Sequence, residues 1–211
     1  MSLKRNKLLT GALILTLTGF ILRGLGMALR VLMSSRLGEE GMGLYQLTQS
    51  VYFLFITVAQ SGISVALTRI MSARLALGDE EGAQSVMTAS LSASLILGVL
   101  SAAAMTLLSH PICMFFIGDM RCLNPIISLS WALPSIAVCG VISAYFIVHG
   151  STVYGCISQL IEQILRIGFV LLLPSLTLTT VTLSGTVAET LSCIFLVICY
   201  IKNRKKSQYQ K

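Results

Sequence analysis

The chain has 211 residues, is 55% hydrophobic and only 11% charged, and carries a formal net charge of +7. No water-soluble globular domain needs that much apolar surface, and apolar runs longer than about 18 residues mark an all-α, polytopic membrane protein. The positive charge is not a nucleic-acid footprint: five of the fifteen basic residues lie in the last ten positions and three in the first seven, the pattern of cytoplasmic flanks beside membrane spans.

Six spans are expected within one lobe covering 1–211, at about 8–33, 43–62, 83–108, 126–148, 156–173 and 180–201. The first follows a basic tail, is too long for a signal h-region and lacks a small-x-small cleavage site, so it reads as an uncleaved span. An even number of spans puts both termini on one side. Lys4, Arg5, Lys7, Arg69, Arg74, Lys202, Arg204, Lys205, Lys206 and Lys211 fall on that side, against Arg36 and Arg121 on the other, so both termini are expected in the cytoplasm.

Between the second and third spans, Ile63, Leu67, Ile70, Met71 and Leu75 recur at helical spacing. That stretch either extends the second helix past Gly62 or lies along the interface. Gly78-Asp79-Glu80-Glu81-Gly82 reads as a polar turn with acids at a helix N-terminus. Asn124-Pro125 is expected to cap and open the fourth span, Pro134 to kink it, and Pro174 to stop the fifth. Gly11, Gly19, Gly24 and Gly26 in the first span and Ala102, Ala103 and Ala104 in the third permit close helix packing.

The informative residues are the polar ones inside the apolar runs. Arg23 and Arg30 are seven apart, so both fall within about 20° of one helix face, about 10 Å apart along the axis. A charge at the middle of a span is costly and normally faces a bundle interior or a wet cavity. Arg23, deeper in the run, is expected to do so; Arg30 either joins it or snorkels to the headgroups. The fifth span carries Gln159, Glu162, Gln163 and Arg166 as one polar stripe, with Glu162 and Arg166 in the favourable i, i+4 order for a pair. Glu189 is the lone acid of the sixth span. It is a protonated carboxyl, a proton or cation site, or the partner of a first-span arginine.

Catalytic constellations do not form. An intramembrane serine protease needs a Gly-x-Ser-x motif and an inward histidine, whereas His110 and His149 both fall at span ends. Head-group transferases use clustered aspartates, and this chain has Asp79 and Asp119. The six cysteines show no CxxC and no ligand spacing, so neither a disulfide framework nor a metal site is indicated, and no cofactor is called for.

The opening from Leu9-Thr10-Gly11 through Arg23-Gly24-Leu25-Gly26 and Arg30 to Leu37-Gly38-Glu39-Glu40-Gly41-Met42-Gly43-Leu44-Tyr45 resembles the polysaccharide flippases of the multidrug/oligosaccharidyl-lipid/polysaccharide exporter superfamily, in their sporulation-protein group. Gln60-Ser61-Gly62-Ile63-Ser64-Val65-Ala66, Ala144-Tyr145-Phe146, the run Ser158 to Ile167 and, loosely, Gly185 to Glu189 continue the likeness. Ser143-Ala144 before the Tyr-Phe pair and Ile147-Val148-His149 after it depart from the group's usual Arg-Gly and Gln-Gly. The resemblance implies a transporter that carries a lipid-linked sugar pyrophosphate across the cytoplasmic membrane by alternating access. It implies a basic cavity in which Arg23 and Arg30 contact the pyrophosphate and Gln159, Glu162 and Arg166 shape the wall. Such flippases have two six-helix lobes, and this chain corresponds to the first; a homodimer or a separate chain would supply the second. A drug/cation antiporter of the same superfamily and a non-transporting membrane interaction protein are the alternatives. Three arginines against two glutamates within spans favour an anionic substrate over a cation.

Overall fold

The computed structural model describes the backbone of residues 2–60, 62–173 and 176–209, and the side chains of 13–60, 62–173 and 176–204. Among these residues every regular element is helical, as the apolar runs require, and Pro174 lies outside them. Four stretches are long and apolar enough to cross a membrane: Leu13–Ala76, Glu80–Leu107, Val153–Leu172 and Leu178–Arg204. A bent pair, Met120–Ser130 with Leu133–Val148, makes a fifth.

Helix α1 (Ser2–Ala59) is two helical limbs broken at Gly38, where φ is 72° and ψ 178°. That backbone region is essentially reserved for glycine. A straight helix of this length would reach about 87 Å at 1.5 Å per residue, nearly three times a bilayer's hydrocarbon core. Instead the chain doubles back: Gly26, Arg30 and Met33 of the first limb and Met42, Tyr45 and Gln49 of the second line one cleft. The sequence leads one to expect a connecting loop at 34–42; a single glycine does its work.

Gly62 starts a new helix, α2 (Ile63–Ala76). It neither continues the second limb nor lies free on the interface. Its Leu67 and Met71 are fully buried in a core with Met87, Val141, Phe146 and Leu196. The polar turn that follows is a built cap. The Asp79 carboxylate accepts from Gly82 N at 2.8 Å and from Arg74 Nη1 at 2.6 Å, opening α3 (Glu80–Leu107). The Arg74 guanidinium, and after it the Gly82 amide, hold the Asp79 carboxyl below its usual value.

A one-turn α4 (Ser109–Pro111), a π-turn over Ile112–Ile117 and a 3-10 turn over Met120–Cys122 lead into α5 (Leu123–Ser130). Asn124 does not cap α5: the helix follows directly from the 3-10 turn with Cys122 at its N-cap and no side-chain cap, and Asp119 caps the 3-10 turn instead, accepting from Arg121 N at 2.8 Å. Pro134 sits in the first turn of α6 (Leu133–Val148), where its missing N–H costs nothing, and the axis bends by 41° between the two helices. Helices α7 (Val153–Leu172) and α8 (Leu178–Tyr209) complete the bundle.

Close packing falls elsewhere than the small residues of the first span suggest. A side chain at Gly19, Gly24 or Gly26 would meet nothing within 4 Å, and Leu17, Phe20, Met27 and Val31 of the same limb are exposed. The tight contact is between α3 and α6: a Cβ on Gly98 would stand 2.8 Å from Pro134 Cα and 3.1 Å from Ala137 Cβ. Helix α8 is fastened by hydroxyls. Ser128 Oγ donates to Thr182 Oγ1 at 2.7 Å, Thr186 Oγ1 donates to Ser128 O at 3.0 Å, and Ser158 and Ser192 share a 2.6 Å bond. Such interhelical bonds contribute about 0.6 kcal/mol each in a membrane.

Candidate functional site

Three helix faces converge on an open cleft of about 430 Å³. From the first limb of α1 come Gly26, Leu29, Arg30 and Met33, from the second Met42, Tyr45, Gln46, Gln49, Ser50 and Phe53, and from α7 Gln163 and Arg166. Each set keeps the i, i+3, i+4 spacing of one helix face, so the turn at Gly38 is what lays the two limbs' polar faces together. Arg36 fixes the limb against α7 at that end: its Nη1 donates to Leu173 O at 3.2 Å and to Val170 O at 3.4 Å. Arg30 itself is exposed at the cleft, where a guanidinium can present its planar fork to an oxyanion.

The cleft's polar wall is only partly satisfied from within. Gln49 Nε2 donates to Tyr45 Oη at 3.2 Å, yet Gln49 Oε1, Gln163 Oε1 and Arg166 Nε are buried without a hydrogen-bond partner. Most buried polar atoms in folded proteins are paired, and each exception costs about 1–3 kcal/mol. Three exceptions lining one cleft are a property of the site. Arg166 is otherwise held firmly. Its Nη2 donates to Glu162 Oε1 at 2.9 Å, and its guanidinium lies about 3.7 Å from where a side chain on Gly185 of α8 would begin.

Next to that ion pair lies a second, inner cavity of about 300 Å³, as open as the cleft, lined by Gln60, Ser143, Ser158, the exposed Gln159, Glu162, Glu189 and Ser192 among others. Glu189 is 6% exposed and accepts from Tyr52 Oη at 2.8 Å. Gln60 Nε2 donates to Ile136 O at 3.1 Å. The polar stripe of α7 is therefore divided: Gln159 and Glu162 face the inner cavity, Gln163 and Arg166 the cleft. The Glu162–Arg166 pair, with side chains 23% and 18% exposed, forms the partition.

Arg23 stands apart from both. It is exposed and lines neither space, although it shares a helix face with Arg30. Of the three readings open to Glu189 from sequence, pairing with a first-span arginine is not the contact formed: its hydrogen bond comes from Tyr52 of the second limb. Tyr45, Gln49, Tyr52 and Gln60 escape a search for charges. The signal for the first three is the spacing 45, 49, 52 within the second span, which aligns three polar-tipped residues on one helix face.

Residues 8–211 match the family described as polysaccharide biosynthesis protein. The chain is 30% identical over 223 residues to stage V sporulation protein B of Bacillus subtilis (strain 168), covering 98% of this chain and 41% of that protein. It is 28% identical over 174 residues to lipid II flippase MurJ of the same organism, covering 79% of this chain and 32% of the relative. The chain thus spans less than half the length of either. No solved structure matches it. With a match that runs over nearly the whole chain and an all-helical, apolar architecture to carry it, this membrane protein belongs to the polysaccharide biosynthesis protein family.

Proposed function

We propose that this chain is a six-helix lobe, with both termini cytoplasmic, of a flippase that moves a lipid-linked oligosaccharide or polysaccharide precursor across the cytoplasmic membrane by alternating access. The six crossings are the two limbs of α1, then α3, the α5–α6 pair, α7 and α8. The observation that carries the reading is the cleft itself: Arg30 exposed at its wall, Arg166 in its depth, and orphaned polar atoms between them. An isolated helical lobe in lipid does not keep such a surface for packing, because every unserved polar group is costly there. Arginine suits the pyrophosphate of such a precursor through paired N–H···O bonds. Family membership and the name of the second relative, a lipid II flippase, point to the same cargo class.

Arg23 lies on the same face as Arg30 and is assigned the approach to the cleft. Gln159, Glu162 and Arg166 form the wall, and Glu189, buried beside the inner cavity and hydrogen-bonded to Tyr52, is assigned as the proton or cation site that drives the cycle. Repeat-built transporters work by rocking one bundle against another. The exposed apolar faces of the first limb support docking of a second six-helix lobe, from another copy or a separate chain.

The test is native mass spectrometry of the full chain in lipid nanodiscs, titrated with a polyprenyl pyrophosphate. The wild-type chain is expected to retain the lipid and to appear as a dimer, and Arg30→Ala to lose the lipid by ten-fold or more in affinity. Equal retention by both chains would remove the cleft from the transport path. A monomer that retains the lipid would assign the second lobe to a different chain.

A further inference from the structure

Cationic side chains explain only part of the cleft. Its unserved atoms are two carboxamide oxygens, Gln49 Oε1 and Gln163 Oε1, and one guanidinium nitrogen, Arg166 Nε. A pyrophosphate diester has oxygens but no donors at neutral pH, so it can satisfy the nitrogen and not the two acceptors. It would even set lone pair against lone pair at each glutamine. The group that serves both kinds of atom is a hydroxyl, which donates to a carbonyl oxygen and accepts from an N–H. Two acceptors on separate helices lining one cleft ask for two donors on one rigid frame, such as neighbouring hydroxyls or an acetamido N–H on a sugar ring. Rotating either carboxamide by half a turn would place an NH2 group at the same point, again unserved and again matched by a hydroxyl. Tyr45 Oη can donate or accept, so its bond to Gln49 holds in either orientation, and a hydroxyl is the group that meets both.

We propose that Gln49 and Gln163 are the specificity residues of the cleft: they read donor groups on the sugar next to the pyrophosphate, while Arg30 holds the phosphate oxygens. This rests on the assignment of a lipid-linked sugar as cargo. It divides the site by chemistry, with the anion at the exposed arginine and the sugar ring deeper, against the second limb and α7.

The experiment compares two probes on the full chain in nanodiscs: a polyprenyl pyrophosphate, and the same lipid carrying one N-acetylhexosamine. Wild-type chain is expected to prefer the glycosylated lipid by about ten-fold, the return from two newly served buried acceptors. Gln49→Leu and Gln163→Leu should each cut that preference by about three-fold or more, with the larger loss on the glycosylated lipid. Arg30→Ala should weaken both lipids alike and keep the ratio. Where a leucine variant melts early, the asparagine variant is measured in its place, since it keeps the amide and withdraws it from reach. Equal binding of the two lipids by the wild-type chain overturns this inference and leaves the cargo assignment standing. Binding of neither overturns the cargo assignment itself. Glutamine variants that lose both lipids equally, with unchanged melting, also overturn the division of roles.

Discussion

The cleft and the inner cavity lie back to back on α7, yet they treat polar atoms in opposite ways. In the inner cavity Glu189 takes the Tyr52 hydroxyl, Ser158 and Ser192 serve each other, and Gln60 is spent on the Ile136 carbonyl. In the cleft three buried polar atoms have no internal partner, and an arginine stands open beside them. Where hydrocarbon surrounds a protein, a closed network is a finished piece of structure. An open one is half of an interaction whose other half arrives as a ligand. The partition between the two is a single ion pair, Glu162–Arg166.

The contrast can be broken most forcefully at that partition. Arg166→Leu leaves Glu162 without its counter-charge between two helices. The expected loss is about 3–5 kcal/mol, read as a lower melting temperature in detergent, and the Glu162→Gln/Arg166→Leu double variant should recover most of it. A single variant that melts like the wild type would show that the pair is not the divider described here. Next comes Arg30→Ala, which is expected to cost about 1.5–3 kcal/mol of pyrophosphate-lipid affinity with stability unchanged within about 0.5 kcal/mol. Arg23→Ala should show the smaller binding defect of the two. Tyr52→Phe reverses that profile. It strips a donor from a buried carboxyl, so stability should fall by about 1–3 kcal/mol, while lipid binding at the cleft persists. A binding defect as large as that of Arg30→Ala would merge the two sites into one. The smallest effect belongs to Glu40→Ala. Its 2.9 Å bond to Arg121 joins side chains 76% and 70% exposed, and its removal should shift stability by less than about 1 kcal/mol.

How much of this could be read from the sequence depends on which force set each feature. The apolar runs and the membrane class were legible because the thickness of hydrocarbon dictates their length. The α7 stripe was legible because polar side chains inside such a run are conspicuous. The turn at Gly38 was not. Leu37-Gly38-Glu39-Glu40-Gly41 has the composition of a loop, yet Glu39 and Glu40 are exposed and can stay helical, so one glycine suffices. The first-span glycines misled for the converse reason: they suggest a packed face, and the limb is peripheral. Asn124 reads as a cap, but a 3-10 turn capped by Asp119 runs straight into α5, so the helix starts before Asn124 and uses no side-chain cap. Tyr52 was hidden because an aromatic in an apolar run looks like ordinary core. Its meaning lies with Glu189, on a helix at the far end of the sequence.

The meeting of α3 and α6 has an evolutionary consequence. Even a methyl group at Gly98 would strike Pro134 Cα, which is backbone and cannot swing aside, and α6 is pinned on its other flank by the core shared with α2 and α8. Any residue at 134 carries that Cα, so a side chain at 98 requires α3 and α6 to move apart. Across descendants of this chain, glycine at 98 should persist for as long as the two helices keep this contact, whatever residue stands at 134.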